Sequence, residues 1–83
     1  MTRDAIWAAI EAERRRQASK WNRDHEWGHG DCSSSQVHEL VKVAVLCEER
    51  GEVARAVLDH KPDDLRNELV QVAAVAVAWL ESL

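Results

Sequence analysis

Two helical segments separated by one short turn constrain the fold of this chain more than any other feature. The segment DHKPDD, residues 59–64, is typical of a tight turn. Pro62 suits the first turn of a following helix, and Asp63 and Asp64 suit its positive end. Helices joined by so short a turn run antiparallel. Residues whose numbers add to about 120 therefore face each other across this helical hairpin.

Capping signals predict the remaining elements. Thr2 suits the N-cap of a first helix that we expect over residues 3–20. The connector NRDHEWGHGDCSSS has two glycines and three serines, which indicate irregular backbone. Ser33 and Gln36 have the spacing of a capping box, so we expect the second helix to begin at residues 34–36 and to end near Asp59.

Composition favours an all-α fold with one core. The 83 residues include no Tyr or Phe, one Pro and three Gly, and 46% are hydrophobic. A chain of this length forms one small domain, here residues 1–83.

Several classes of partner and location are disfavoured. The net charge of −4 argues against nucleic acid, which is held mainly by excess Lys and Arg. The longest apolar run, residues 72–80, is too short to cross a membrane. The charged N-terminus is unlike a secretory signal, and Cys32 and Cys47 form no disulfide framework. We therefore expect a cytoplasmic protein with reduced thiols.

The third helix indicates an oligomer. Its VAAVAVAWL segment is apolar all the way round, and a three-helix chain has too little surface to cover it. We expect a second copy to complete a four-helix-bundle-type core, as a homodimer or homotetramer, with Val72, Val75 and Trp79 near the contact. The alternative is that this Ala-rich stretch tolerates partial exposure.

The second helix also carries a mostly apolar stripe suited to packing against another helix. Its members are Leu40, Val43, Cys47, Gly51, Ala54 and Leu58. Gly51 costs about 1 kcal/mol relative to Ala in mid-helix, which a close helix crossing or a closely approaching ligand would explain.

Two acidic pairs mirror each other across the predicted hairpin. Glu49 and Glu52 share one helix face, as do Glu68 and Gln71. Residues 49 and 71 add to 120, and so do 52 and 68. Three carboxylates and an amide facing one another suit a hard divalent cation such as Mg²⁺, with Mn²⁺ as a substitute. The alternative is a solvated acidic face.

These motifs resemble a known family. EERGE, followed after a turn by ELVQVAAVAVAWLE, resembles the MazG-like all-α nucleoside triphosphate pyrophosphohydrolases, which carry EExxE on one helix and ExxD on the next. Glu48, Glu49 and Glu52 match the first motif, and Glu68 matches the start of the second. The upstream RRQASKW, with Gln17, Lys20 and Trp21, is also similar to the family.

One position departs from the family pattern. Gln71 stands where the ExxD motif has its aspartate, and a neutral amide is a weaker ligand for Mg²⁺. The site could hold fewer ions, use Glu48 instead, or have lost catalysis while keeping the fold. A non-catalytic helical dimer that serves as an interaction or nucleotide-binding module is therefore the alternative function.

If the chemistry is intact, the resemblance implies a hydrolase that converts a nucleoside triphosphate and water into the monophosphate and pyrophosphate. Mg²⁺ held by Glu49, Glu52 and Glu68, with Gln71 beside them, would bridge the phosphates, and Glu48 could act as general base. For substrate binding, the candidates are Lys42, Lys20 and Arg23 for phosphates and Trp21 and Trp27 for the base. The simpler interpretation is that Lys42 is a surface lysine and that Trp21 and Trp27 pack at the end of the bundle.

The connector contains candidate ligands for a second metal site. His25, His29 and Cys32 are sensible zinc ligands, with a fourth drawn from Asp24, Asp31, His38 or another subunit. Their spacing fits no established zinc motif.

Overall fold

Three helices and a short ordered connector make up the protein, for which a computed structural model describes residues 1–83. The elements in chain order are α1 (Arg3–Lys20), β1 (Asp24–His25), β2 (Gly28–His29), α2 (Glu39–Leu58) and α3 (Pro62–Glu81). The mostly helical fold confirms the all-α prediction. The two strands pair antiparallel in a minimal hairpin that the sequence did not predict.

The start of α2 lies later than predicted. Ser33 does not cap the helix; its hydroxyl and its backbone N–H both donate to Asp31 Oδ1 within the connector. The N-cap is His38, whose Nδ1 accepts a hydrogen bond from the Leu40 N–H at 3.0 Å. The α1 prediction was correct, and Thr2 Oγ1 accepts a hydrogen bond from the Ala5 N–H.

The turn between α2 and α3 is closed by backbone hydrogen bonds. His60 adopts a left-handed conformation with φ of 54°, just after the helix end. The Lys61 N–H donates to the Ala56 carbonyl and the His60 N–H to the Val57 carbonyl, which is the Schellman pattern. Pro62 then begins α3, as predicted. This tight connection fixes the antiparallel register of α2 and α3.

Helix α3 is the central element of the bundle. Both α1 and α2 pack on α3, and they do not pack on each other. The space between α1 and α2 is partly filled by the connector, whose Cys32 joins Val75 and Ala78 in the core. Val75 is therefore buried inside this chain, so a substitution there tests the core and not a subunit contact. No helix has the length and apolar character needed to span a bilayer.

Candidate functional site

Three carboxylates from α2 and α3 converge where the hairpin numbering predicts. Glu49 and Glu52 lie one turn apart on α2, and Glu68 faces them from α3. One carboxylate oxygen of each lies within 4.8 Å of the others. No other set of three or more His, Cys, Asp or Glu side chains in the chain is placed to hold a metal ion. We refer to these three residues as the acidic cluster.

The electrostatics of the acidic cluster disfavour full ionisation. Burial, a hydrogen bond with Glu52 and the negative charges of Glu52 and Glu49 raise the pKa of Glu68 to about 7. Burial, followed by the charges of Glu52 and Glu48, also raises the pKa of Glu49, and Arg16 only partly opposes this. At neutral pH the cluster therefore tends to retain a proton or to attract a cation.

Two oxygens in the acidic cluster have no hydrogen-bond partner. Glu49 Oε2 and Glu68 Oε2 are both shielded from solvent and unpaired. Buried carboxylate oxygens are nearly always paired, because their desolvation is otherwise costly. Hard oxygen donors left free in this way fit a Mg²⁺ or Mn²⁺ ion.

The acidic cluster borders a cleft of about 320 Å³ between α1, α2 and the connector. Glu48, Glu49 and Glu52 of α2 line one wall, and Gln71 of α3 also lines the cleft. Gln71, which the numbering predicts to face Glu49, is thus part of the same cleft, but it adds no charge. A larger and more open groove of about 790 Å³ runs between α1 and α3 and also reaches Gln71.

A basic wall formed by Arg16 and Lys20 of α1 faces these carboxylates across the cleft. Arg16 Nε donates to both carboxylate oxygens of Glu13, at 2.6 and 2.9 Å. Sequence reasoning identified Lys20 but missed Arg16 and Glu13. The i,i+4 spacing of Arg16 and Lys20, which places them on one face of α1, was the available signal.

Aromatic rings form one end of the cleft. Trp21 and Trp27 both line it, with ring centroids 6.3 Å apart. The imidazole of His25 stacks on the Trp27 indole at 4.8 Å and nearly parallel. Lys20 Nζ lies 5.2 Å from the Trp21 ring centroid. Trp27 remains partly exposed, so an aromatic surface is available to a ligand.

Two other predicted residues lie elsewhere. Lys42 is 2% exposed, and its Nζ donates to Ser82 Oγ at 2.7 Å near the end of α3, outside the cleft lining. Arg23 lies over the Trp21 ring, with its guanidinium carbon 5.5 Å from the ring centroid, and it does not line the cleft.

The proposed zinc ligands do not assemble. His29 pairs with Asp24 at 2.7 Å, His25 stacks on Trp27, and Cys32 is buried in the core. Burial raises the pKa of the Cys32 thiol, which disfavours the thiolate that binds zinc.

No protein-family model matches the sequence, and neither curated proteins nor solved structures gave a match.

Proposed function

We propose that this protein is a Mg²⁺-dependent nucleoside triphosphate pyrophosphohydrolase of the MazG-like type. The observation that carries the proposal is the opposition of two walls in one cleft, acidic on α2 and basic on α1. A metal–triphosphate complex needs carboxylates for the cation and cationic side chains for the remaining phosphate charge. The tryptophans at the cleft end add a stacking surface for a nucleobase.

The acidic cluster is the proposed metal site. Glu49, Glu52 and Glu68 would hold Mg²⁺ or Mn²⁺, and the free Oε2 atoms of Glu49 and Glu68 supply unpaired donors for it. When bound, the ion supplies positive charge that neutralises phosphate oxygens and orients water. Gln71 contributes at most a neutral oxygen, which predicts a weaker site than four carboxylates would form.

The remaining residues have roles in substrate binding and proton transfer. Arg16 and Lys20 bind phosphate oxygens, and Trp21 or Trp27 stacks on the base. Glu48, exposed at the cleft edge, accepts a proton from water as that water attacks the α-phosphorus. The bond from the α-phosphorus to the bridging oxygen breaks, which releases pyrophosphate and leaves the monophosphate. Lys42 has a structural role and does not bind phosphate, since its Nζ donates a hydrogen bond to Ser82 Oγ.

The proposed assembly is a homodimer or homotetramer. Several large apolar side chains remain at least 39% exposed in the single chain, on all three helices. A second copy that covers some of them would complete a four-helix-type core.

Pyrophosphate release from a panel of standard and oxidised nucleoside triphosphates, with Mg²⁺ or Mn²⁺, tests this function. We expect metal-dependent release that Glu52→Gln abolishes. Glu26→Gln, which removes one exposed carboxylate from the connector, is the matched control and should leave release unchanged. Nucleotide binding without release from any member of the panel would favour the non-catalytic module instead.

A further inference from the structure

A single carboxylate, that of Glu13, holds the arginine of the basic wall. Arg16 Nε donates to both oxygens of this carboxylate, at 2.6 and 2.9 Å. The two residues have i,i+3 spacing on α1, which brings their side chains together on one helix face. Glu13 lines the open groove between α1 and α3 and not the cleft, whereas Arg16 lines both cavities. The Arg16 side chain therefore lies between Glu13 and the cleft.

The Glu13–Arg16 pair differs from the other local ion pairs of the helices in the burial of its carboxylate. The Glu13 side chain is 11% exposed, whereas the carboxylates of the other three pairs are between 42% and 89% exposed. A buried side chain has lost most of its rotamer freedom, so it holds its partner at a fixed point. Exposed pairs such as Arg15 with Glu11 impose little order. Glu13 is therefore suited to keep Arg16 in one orientation.

The bonding between Glu13 and Arg16 leaves the end of the guanidinium free. Both hydrogen bonds of the Arg16 side chain leave from Nε, so Nη1 and Nη2 keep their N–H donors. In Arg14, by contrast, Nη1 already donates to Gln17 and Asp31. The terminal N–H groups of a guanidinium lie in one plane and match two oxygens of a phosphate. Arg16, the one arginine that lines the cleft, thus has a free edge for phosphate.

The Arg16 guanidinium also interacts with the acidic cluster. The hydrogen bonds with Glu13 outweigh burial and raise the pKa of Arg16, and the charges of Glu13 and Glu49 add to this rise. Burial and neighbouring carboxylates raise the pKa of Glu49, and the charge of Arg16 opposes that rise. Arg16 therefore lies close enough to the acidic cluster to share a charged ligand with it.

Glu13 also keeps Arg16 from bonding the acidic cluster itself. Arginine side chains are long and flexible, and a free guanidinium bonds a nearby carboxylate. Glu49 offers such a carboxylate, since its Oε2 has no hydrogen-bond partner. If Arg16 bonded Glu49, one contact would occupy both a phosphate-binding group and an oxygen proposed for the metal. By holding Nε, Glu13 prevents this competing arrangement.

We propose that Glu13 is a positioning residue that orients Arg16 to bind the phosphate chain of the substrate. This rests on the nucleoside triphosphate substrate proposed above and assigns a role within that same site. Glu13 does not line the cleft, so it contacts no substrate and acts through Arg16 alone.

Calorimetric titration of magnesium tripolyphosphate at fixed ionic strength tests this role without a nucleotide. Glu13→Ala removes the acceptor and should weaken binding about tenfold, near the cost of ordering one long side chain. Glu13→Gln keeps an acceptor oxygen for Nε and should recover most of the affinity. Glu11→Ala, which removes the exposed partner of Arg15, is the control and should bind like wild type. If Glu13→Ala binds as tightly as wild type or more tightly, the effect is one of charge alone and the proposal is wrong.

The same substitution in an Arg16→Met background separates positioning from a general effect on the fold. There Glu13→Ala should not weaken tripolyphosphate binding, because no guanidinium remains to be oriented. Alanine is the better helix former, so Glu13→Ala should keep the helical circular dichroism of wild type. An equal loss of affinity in both backgrounds would overturn the proposal.

Failure of the positioning role and failure of the proposed function give different results. Tripolyphosphate binding that depends on Glu13 and Arg16, without hydrolysis of any nucleotide, would support the positioning role and remove the enzymatic proposal. Pyrophosphate release by Glu13→Ala at the wild-type kcat/KM would leave the enzymatic proposal intact and overturn the positioning role. A wild type that does not bind magnesium tripolyphosphate would also overturn it.

Discussion

The molecule contains two partly buried groups of charged side chains that differ in how their charge is balanced. In one, the buried Arg14 bonds Asp31 at 2.9 Å and Glu81 at 3.1 Å, and it also donates to Gln17. In the other, Glu49, Glu52 and Glu68 approach each other, and no basic side chain forms a salt bridge with any of them. The first group is complete within the chain, whereas the second leaves two oxygens unpaired.

The pKa values of the two groups shift in opposite directions. Burial would raise the pKa of Asp31, but hydrogen bonds from Ser33 and Arg14 outweigh it and hold the pKa below its ordinary value. In the acidic cluster burial and like charges act together, and the pKa of Glu68 rises to about 7. The Arg14 group therefore stabilises the fold by itself, because its guanidinium balances the carboxylates. The acidic cluster has no such partner and favours binding of a cation.

Breaking the complete group should have the largest effect. Arg14→Met keeps much of the side-chain volume but leaves Asp31 buried beside an apolar group. We expect the free energy of unfolding in urea to fall by about 3 kcal/mol. Arg15→Met, which removes an exposed arginine paired with Glu11, should change it by less than about 0.5 kcal/mol. Equal effects of the two substitutions would mean that the Arg14 group is not structural.

The pH dependence of stability should separate the two groups next. Between pH 4.5, the ordinary pKa of Glu68, and its raised value of about 7, the folded protein holds a proton that the unfolded chain has lost. Metal-free stability should therefore fall as pH rises through this window. Asp31 contributes in the opposite sense, since stability is lost as pH falls below 3.8. Melting temperatures across pH, without metal, measure both trends.

Glu68→Gln is the control for the pH prediction. It should flatten the decline in melting temperature between pH 4.5 and about 7 and leave the acid limb unchanged. Mg²⁺ should raise the melting temperature of wild type more above this window than below it, because ionised carboxylates bind the ion. If the melting temperature of Glu68→Gln falls with pH as steeply as that of wild type, a group other than Glu68 titrates in this window.

The hairpin and the converging carboxylates were predictable from sequence because both depend on local rules. The short turn with Pro62 set the register, the i,i+3 spacing put Glu49 and Glu52 on one helix face, and the structure brings Glu49, Glu52 and Glu68 together accordingly. The start of α2 was not predictable, because Asp31 engages Ser33 through a contact specific to the folded connector. Arg16 was missed because its place opposite the carboxylates depends on how α1 packs against α3.

Adding charge at Gln71 should have the smallest effect. Gln71→Glu places a fourth carboxylate beside the acidic cluster, so the metal-free protein should lose about 1 kcal/mol of stability. Mg²⁺ affinity and any pyrophosphate release should increase. Thermal melting of the metal-free variant measures its stability, and Mg²⁺ titration measures its affinity. If stability and Mg²⁺ affinity both rise, or both fall, the account is contradicted. The shorter Gln71→Asp should act in the same direction.

Calorimetric titration of Mg²⁺ into metal-free protein tests the central claim, that the acidic cluster holds a divalent cation. Wild type should give saturable binding with proton release, because Glu68 must ionise to bind the metal. Glu52→Gln should abolish the heat of binding while its apo form stays as stable as wild type or becomes more so. Glu26→Gln should bind Mg²⁺ like wild type. The account is contradicted if wild type shows no saturable binding, or if Glu52→Gln binds Mg²⁺ as tightly as wild type.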